Sequence, residues 1–253
     1  ESSMIEIKSK SEIDKMRRAG KLAAEIMTYA GTLVKVGVST EEINAQIHEF
    51  TKSKGAISAP LNYHGFPKSV CTSINQVVCH GIPSPSAILN DGDIVNIDVT
   101  PILDGYHGDT SRTYFVGNVL PETQKFVKQV HEAMMIGIEQ IKPNAYFGDI
   151  GAAIETFIKP LGYGIVKDLC GHGIGRKFHE DPMVMHHKTR ERGARMRAGM
   201  CFTVEPMINM GGFEVYTDPH DKWTVYTKDG SLSAQFEHTI LVTEKSYEIL
   251  TLT

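Results

Sequence analysis

The chain has 253 residues, a length that suits one large domain or two small ones. Hydrophobic residues make up 41% of the sequence, which is enough to bury a sizeable core. The formal net charge of −4 gives no electrostatic reason to expect nucleic acid or a membrane surface as a partner, and no apolar run approaches the roughly 20 residues of a membrane span.

The first residues and the cysteines bear on the processing and the redox state of the protein. Residues 1–3 (ESS) precede Met4 and read as a cloning remnant, and no signal peptide pattern follows them. The four cysteines are Cys71, Cys79, Cys170 and Cys201. Because they form no C-x-x-C pair and are sparse for this length, neither a structural zinc site nor a disulfide framework is expected. We therefore expect a reduced, cytoplasmic protein.

Two helices are predicted near the start of the chain. Ser11 reads as the N-cap of the first, with Asp14 reaching back to the cap. Apolar residues then recur at near-helical spacing over 13–26. Ser39 repeats the capping signal, and the second helix should run from there through Phe50.

The same order of elements then occurs again. Short β-rich segments continue to about Val116, Pro121 suits the first position of a third helix, and a fourth helix is predicted over 150–157 before a β-rich close. Shifting the chain against itself by 107 residues brings Asp98 onto Glu205. We predict two related α+β halves, about 4–118 and 119–253, packed as one domain over 4–253 with their acidic strands meeting at the centre.

The first acidic strand covers 93–100 and alternates apolar with polar residues. The dipeptide Asp104-Gly105 is a hairpin turn signal. If these two residues form the loop, Asp98 faces Ser111, and Asp109 becomes its diagonal neighbour on the same face. Two such carboxylates would repel each other unless they shared a cation.

The second half supplies further candidate metal ligands. Glu205 and Glu237 each lie in a run of β-forming residues, where a charge is costly unless it is paired or coordinated. His172 stands among three glycines, which permit close backbone approach around its ring. Together with Asp98 and Asp109 they form a set of four carboxylates and one imidazole, which suits two divalent cations with shared carboxylates.

Each of these residues alone has a simpler explanation. Asp98 could be a solvated side chain, Glu237 could protect an edge strand, and the Gly-His-Gly run could be a plain turn. Trp223 could be ordinary packing, and surface exposure is the default for histidines in loops. Four further histidines are expected to be structural or solvated: His107, His131, His186 and His187. The joint pattern of acidic strands and a glycine-flanked histidine is harder to explain in this way.

Seven motifs then identify a family that the chain resembles. They are 63–71 (YHGFPKSVC), 78–83 (VCHGIP), 96–100 (NIDVT), 108–110 (GDT), 171–175 (GHGIG), 203–206 (TVEP) and 235–239 (QFEHT). In this order they resemble the type I methionine aminopeptidases, in the short bacterial form, over nearly all of residues 4–253. The resemblance implies the pita-bread (creatinase/aminopeptidase) fold, with two pseudo-symmetric halves around a central antiparallel sheet. It also implies metal-dependent removal of the initiator methionine from nascent polypeptides, with a small second residue preferred.

The resemblance also assigns roles to individual residues. It implies that the metal ligands are Asp98, Asp109, His172, Glu205 and Glu237, of which Asp109 and Glu237 bridge both ions. The implied catalytic residues are Glu205, His80 and His179. The implied substrate-binding residues are Tyr63, His64, Cys71, His80, Phe178, His179 and Trp223. A monovalent cation, Na⁺ or K⁺, would be held by main-chain oxygens of Asn75, Val77 and Ser233. Pro60 departs from the family pattern at the pocket edge, where close relatives often carry cysteine.

The implied cofactors and partners complete the hypothesis. Mixed carboxylate and imidazole ligands suit cobalt, manganese, iron or zinc. The implied partners are the N-termini of nascent polypeptides at the ribosome, with no direct nucleic-acid or membrane contact, and the protein is expected to be a monomer. In the expected mechanism, Glu205 takes a proton from the attacking water, and His80 or His179 donates a hydrogen bond to the carbonyl.

Three alternatives remain open on the sequence. The first is a proline-directed aminopeptidase or prolidase on the same fold, although such enzymes usually carry an additional N-terminal domain. The second is a non-catalytic binding module, although all five ligand positions are filled here. The third is a cysteine hydrolase using Cys79 and His80, whose side chains point to opposite faces of an extended segment.

Overall fold

The computed structural model describes residues 5–253, so the predicted cloning remnant lies outside the described residues. Within this range four α-helices form: α1 (Lys10–Leu33), α2 (Thr40–Ser53), α3 (Pro121–Ile138) and α4 (Gly148–Ile158). The strands of the first part are β1 (Ile57–Ser58), β2 (Cys71–Ile74), β3 (Val77–Cys79), β4 (Ile94–Val99), β5 (Pro101–Leu103), β6 (Tyr106–His107) and β7 (Thr110–Phe115). Those that follow α4 are β8 (Gly164–Ile165), β9 (Gly171–Gly173), β10 (Glu180–Val184), β11 (Cys201–Val204), β12 (Met207–Asn209), β13 (Val215–Thr217), β14 (Val225–Thr227), β15 (Ser233–Gln235), β16 (His238–Val242) and β17 (Tyr247–Ile249).

The start of α1 differs from the prediction. Ser9, not Ser11, is the N-cap, because its hydroxyl accepts from the Glu12 N–H at 3.3 Å while the Glu12 carboxylate accepts from the Ser9 N–H at 3.1 Å. These two residues have the S-x-x-E spacing of a capping box, which satisfies two backbone donors at once. The prediction of Ser11 with Asp14 was wrong because it took the second of two closely spaced serines.

The other three helices agree with their sequence signals. The Ser39 hydroxyl caps α2 by accepting from the Glu42 N–H at 3.1 Å. Pro121 is the first residue of α3, where its missing N–H costs no hydrogen bond. Ile150 and Ile154 lie fully buried on α4. Among the helices of residues 5–253, none combines the length and the apolar character that a membrane crossing requires.

The strands form small sheets in which every pairing described for residues 5–253 is antiparallel. β4 lies between β2 and β7, and α1 and α2 pack on its apolar side through residues such as Ile26, Ile43 and Ile97. β11 lies between β9 and β16, and α3 and α4 cover this second sheet through residues such as Phe126 and Phe202. Helices and antiparallel sheets thus make the predicted α+β fold, and the helices leave the other side of the sheets free for a cavity.

The register of β4 and β7 confirms the predicted hairpin. Leu103 pairs with Tyr106 across the loop Asp104-Gly105, and the same register continues to the pair of Asp98 with Ser111. Both loop residues have positive φ, 50° and 81°, as a tight hairpin turn of this kind requires. Asp98 and Asp109 therefore lie on the same face as diagonal neighbours, as predicted.

A second pair of strands places the two glutamates opposite each other. Val204 pairs with His238, and Met207 pairs with Gln235, so the register is the same on both sides of Glu205. The run of β-forming residues around Glu237 does not form one continuous strand, because it is interrupted between β15 and β16. The physical reason is Pro206, which has no N–H to donate to the strand opposite.

The interruption is where the two sheets join. The Glu237 N–H donates to the Ser111 carbonyl at 3.0 Å, and the Ser111 N–H donates back to Glu237 at 3.3 Å. Threonine side chains strengthen the joint: the Thr239 hydroxyl donates to the Asp109 carbonyl and accepts from the Asp109 N–H, at 2.7 and 3.1 Å. The acidic strands therefore meet where the two sheets join. The division into related halves near residue 118 stays a prediction.

Candidate active site and metal centre

A cavity of about 960 Å³ lies over the joined strands, and four of the five predicted ligands line it: Asp98, Asp109, His172 and Glu205. One ligand atom from each of Asp109, His172, Glu205 and Glu237 lies within 4.8 Å of the others. Nε2 of His172 is 3.4 Å from Asp109 Oδ2 and 3.5 Å from Glu205 Oε2. Asp98 lines the same cavity beside Asp109. The structure thus brings all five predicted ligands together.

The cluster contains more negatively charged side chains than positively charged ones. In the described part of the chain, no hydrogen-bond partner reaches either carboxylate oxygen of the buried Glu237. Burial and the nearby charge of Asp109 raise the pKa of Asp98 and of Glu237 well above the usual range. Burial alone lowers the pKa of His172, but the neighbouring carboxylates outweigh it and raise that pKa to about 9. Orphaned oxygens beside an imidazole are a donor set that fits divalent cations.

Hydrogen bonds behind the ligands fix their orientation. The Thr100 hydroxyl donates to Asp109 Oδ1 at 2.8 Å, and the Thr203 hydroxyl donates to Glu205 Oε2 at 2.7 Å. Nδ1 of His172 lies 2.8 Å from the Gly173 carbonyl, which leaves Nε2 facing the carboxylates. Supporting hydrogen bonds of this kind hold metal ligands in place and set the tautomer of a ligating histidine.

Two histidines outside the ligand cluster face the same cavity. Burial lowers the pKa of His80, and burial together with the charge of His172 lowers the pKa of His179 to about 4. Both rings are therefore neutral near pH 7, with one N–H each. Nδ1 of His179 lies 2.7 Å from the Tyr63 hydroxyl, so with Tyr63 as donor the N–H of His179 is on Nε2.

Aromatic rings form the wall of the cavity at the predicted substrate-binding positions. The ring centroids of Tyr63 and Phe178 are 4.8 Å apart, and those of Phe66 and Trp223 are 5.2 Å apart. Three further residues named from the sequence also line the cavity: His64, Cys71 and Pro60, the last being the position that departs from the family pattern. Phe66 was not predicted individually, although it lies inside the 63–71 motif.

Backbone strain is concentrated around this wall. Asn62, His64 and His80 have positive φ values of 68°, 48° and 57°, a conformation that is uncommon for residues with a side chain. Such residues persist only where the surrounding structure holds them, and they cluster at functional sites. The strain therefore marks the segments that place His64 and His80 at the cavity.

The predicted residues of the monovalent-cation site lie outside this wall. Asn75, also at positive φ (54°), occupies the turn between β2 and β3. Its carbonyl accepts a hydrogen bond from the Ser233 N–H at 3.0 Å. Val77 begins β3, two residues along. The structure therefore brings Asn75 and Ser233 together, next to the turn that leads to Val77.

Two residues near the ligands were not predicted to have a role. His186, expected to be structural or solvated, is buried, and its Nε2 accepts from the Glu205 N–H at 3.0 Å. Burial lowers its pKa to about 3, which keeps that nitrogen free to accept. Gln235 lines the cavity and donates from Nε2 to the Glu205 carbonyl at 3.1 Å. The period-2 alternation from Glu237 could have identified Gln235, whereas no sequence signal indicates His186.

The geometry argues against the cysteine-hydrolase alternative. Burial and the charges of Asp98 and Glu205 raise the pKa of the Cys79 thiol well above its ordinary value. The thiolate is the reactive form of cysteine, and this environment opposes it. All four cysteines carry free thiols.

Comparison with known proteins agrees with this site. Residues 14–244 match the family model described as metallopeptidase family M24. The chain therefore belongs to metallopeptidase family M24, the class to which an α+β fold with a buried carboxylate and imidazole cluster points.

Within that family the chain belongs to the methionine aminopeptidases. It is 53% identical over 249 residues to methionine aminopeptidase A of Synechocystis sp., which covers 98% of both chains. It is 49% identical to methionine aminopeptidase of Escherichia coli K12, with 98% of this chain and 94% of the relative covered. The crystal structure of methionine aminopeptidase from Rickettsia prowazekii matches with a TM-score of 0.96 at 51% identity, covering 98% of this chain and 100% of the other.

More distant structures share the fold. Prolidase from Pyrococcus furiosus matches with a TM-score of 0.77 at 24% identity, and this chain covers 65% of it. At that identity the likeness shows the fold alone. The resemblance and the pita-bread fold predicted from the motifs are thus confirmed, and the proline-directed alternative is not favoured.

Proposed function

We propose that the chain is a metal-dependent hydrolase that removes the N-terminal initiator methionine from nascent polypeptides, with a small second residue preferred. The observation that carries this proposal is the cluster of Asp109, His172, Glu205 and Glu237, whose ligand atoms lie within 4.8 Å of one another at an aromatic-walled cavity. The family membership supports the same reaction.

The metal site of this proposal uses all five clustered residues. Two divalent ions, of cobalt, manganese, iron or zinc, would be held by Asp98, Asp109, His172, Glu205 and Glu237, with Asp109 and Glu237 shared between them. Ions bound there supply a nucleophile from water near neutral pH and an electrophile for the substrate carbonyl. A separate Na⁺ or K⁺ would be held by main-chain oxygens of Asn75, Val77 and Ser233, a proposal supported by the contact between Asn75 and Ser233.

The remaining chemistry belongs to side chains of the cavity. Glu205 takes the proton of the attacking water and delivers a proton to the leaving amine. Its backbone is held from both sides by His186 and Gln235, so the carboxylate has little freedom to turn away. His80 and His179, both neutral, can each donate an N–H to the oxygen on which negative charge develops.

The cavity wall accounts for the choice of methionine. Tyr63, Phe178 and Trp223 present ring faces and edges, with the Cys71 thiol nearby. A thioether packs well against aromatic edges, at about 0.3–1.5 kcal/mol per contact. A fixed aromatic wall also excludes branched side chains of the wrong shape.

Peptides that differ only in their first residue test this assignment. We expect methionine to be cleaved fastest and norleucine to be a partial substitute, because norleucine keeps the shape and loses the sulfur contact. Loss of that contact is worth about 0.3–1.5 kcal/mol, which corresponds to roughly 2- to 13-fold in kcat/KM. The measurement is kcat/KM for otherwise identical peptides that start with methionine, norleucine or leucine, with an X-proline peptide, which changes the second residue, as a separate comparison. Leucine or X-proline peptides cleaved as fast as methionine peptides would favour a proline-directed or broad aminopeptidase instead.

We also propose that the enzyme acts as a monomer on polypeptides emerging from ribosomes in the cytoplasm. An exposed basic segment supports this proposal, with cationic side chains at Lys188, Arg190, Arg192, Arg195 and Arg197. Within residues 5–253 only Arg192 of this set forms a salt bridge, to Asp149 at 2.9 Å. Unpaired cations on a chain of negative net charge attract anionic surfaces such as the ribosome.

The test of ribosome association removes three of these charges. A triple variant with Lys188→Gln, Arg190→Gln and Arg197→Gln is expected to co-sediment with ribosomes at least about tenfold more weakly, and with less salt dependence. Cleavage of a free methionyl peptide should be unchanged. The matched control removes three exposed lysines elsewhere, Lys21, Lys125 and Lys128. Equal loss of binding in both variants would show that only net charge matters and would refute a role for this segment.

A further inference from the structure

The loop that carries Phe178 and His179 is closed at its base by a buried ion pair from a distant part of the chain. This loop spans 174–179 between β9 and β10, and Glu180 is the first residue of β10. Nζ of Lys8 lies 2.8 Å from Glu180 Oε1 across 172 residues of sequence. The side chains of the two residues are only 1% and 11% exposed, so water screens this pair little.

The Glu180 carboxylate connects the ion pair to the loop backbone. While Oε1 accepts from Lys8, Oε2 accepts from the Lys177 N–H at 3.2 Å. The Lys177 carbonyl in turn accepts from the Gly175 N–H at 3.1 Å. From the other side, the Gly175 carbonyl accepts from the His107 N–H at 3.0 Å. One carboxylate therefore fixes the turn directly before Phe178 and His179.

The site is shaped around the lysine side chain. A Cβ atom on Gly175 would lie 2.7 Å from Lys8 Cε and 2.8 Å from its Nζ, so the ammonium group occupies the space of a side chain at that position. The last glycine of the 171–175 motif thus makes room for Lys8. The Lys8 backbone is itself fixed, since its N–H donates to the Gly199 carbonyl at 2.8 Å.

The two aromatic side chains of the loop are stacked on each other. The Phe178 and His179 centroids are 4.2 Å apart at an interplanar angle of 7°. A shift of the turn at Lys177 would therefore displace the pocket wall and the Nε2 of His179 together. Under the proposed function, these two rings bind the methionine side chain and the reacting carbonyl respectively.

We propose that Lys8 is a positioning residue that acts through Glu180 to hold Phe178 and His179 at the cavity. Its catalytic consequence rests on the proposed function, whereas its effect on the loop does not. The ammonium group of Lys8 pairs with Glu180, and Lys8 is not among the residues that line the cavity, so its influence runs through the loop backbone.

The kinetic test is Lys8→Met, which keeps the length of the side chain and removes the ammonium group. We expect kcat to fall and KM to rise, with kcat/KM lower by roughly 10- to 100-fold, because a small misplacement of reacting groups has effects of this order. Lys8→Arg should restore part of the loss. In a His179→Ala background, Lys8→Met should change kcat by less than about twofold, since the hydrogen-bond donor through which Lys8 acts on kcat is already gone, whereas the effect on KM through Phe178 should remain. A full additional loss of kcat in that background would overturn the proposal.

The matched control is Arg17→Met, which breaks another long-range ion pair of the same N-terminal region. Arg17 Nε donates to Glu248 at 2.9 Å and ties α1 to β17, away from the loop. Its kcat/KM should stay within about twofold of the parent enzyme. A loss equal to that of Lys8→Met would show that any weakening of the N-terminal region suffices, which contradicts the proposal.

A second readout does not depend on activity. Amide hydrogen exchange of the Lys177 N–H should be at least about tenfold faster in Lys8→Met than in the parent, and unchanged in Arg17→Met. If Lys8→Met does not fold, Glu180→Gln gives the same test, because it removes the charge and keeps an oxygen for Lys177. Unchanged exchange in the folded variant would overturn the positioning role. Failure of the parent to cleave methionyl peptides would instead refute the proposed function and leave the exchange result to decide this one.

Discussion

Glu205→Gln is expected to lower turnover by at least about a thousandfold while leaving the fold intact. Glu205 lies on the cavity floor, with Oε2 at 3.5 Å from His172 Nε2 and with a hydrogen bond from Thr203. Burial raises the pKa of Glu205, which favours a carboxylate that accepts a proton and later releases it. A glutamine has the same shape, but its amide can neither take the proton nor supply the ligand charge.

The measurement is the steady-state cleavage rate of a methionyl peptide at saturating metal. Circular dichroism and bound-metal content should be recorded on the same sample, so that misfolding and metal loss are separated from loss of the base. Glu214→Gln is the matched control, because Glu214 is an exposed partner of Lys228 and should have no effect on the rate. A Glu205→Gln rate within about tenfold of the parent at full metal occupancy would be incompatible with the base assignment.

Much of the local structure could be predicted because its causes are local. Pro121 opens α3, Ser39 caps α2, and the turn residues Asp104-Gly105 set the register that makes Asp98 and Asp109 neighbours. A two-residue loop sets the register of its hairpin, and this register then determines every residue pair further along the two strands. The error at Ser11 has the same local origin, since two serines compete for one cap and only Ser9 has a glutamate three residues later.

The contacts between distant segments could not be predicted. The pairing of Ser111 with Glu237 depends on how two sheets dock, and no turn or periodicity encodes it. Because of that docking, the polar side of β4 is buried instead of solvated, as Asn96 shows. The same holds for His186 beneath Glu205 and for the ion pair of Lys8 with Glu180.

The same distinction between local and distant causes applies to the roles of individual residues. Clustering of the metal-ligand candidates follows partly from strand alternation and turn geometry, so residue chemistry predicted it before any resemblance was used. The pocket wall came from the resemblance alone, because aromatic residues at 63, 178 and 223 share no local pattern. The structure places all three at one cavity, and their binding role stays a proposal.

Removal of divalent ions by a chelator is expected to abolish cleavage and to lower the Tm by about 5–10 °C. A ligand that binds only the native state stabilises it by about 2.7 kcal/mol when its free concentration is 100 times its Kd. For a domain of this size, 1 kcal/mol corresponds to roughly 2–4 °C in Tm. Activity that persists after elemental analysis shows the metal to be gone would refute the metal-dependent reaction.

The direction in which one substitution changes the Tm distinguishes metal binding from a general effect of the chelator. Glu237 is buried without a hydrogen-bond partner in the described residues, and the charges of Asp109 and Glu205 oppose its own. In the metal-free protein, Glu237→Gln should therefore cost no stability, because it removes a repelling charge. In the metal-loaded protein the same substitution should lower the Tm, because it removes a ligand. Differential scanning calorimetry of both proteins with and without metal measures all four values. If Glu237→Gln lowered the Tm equally in both states, packing and not ion binding would be what this buried carboxylate contributes.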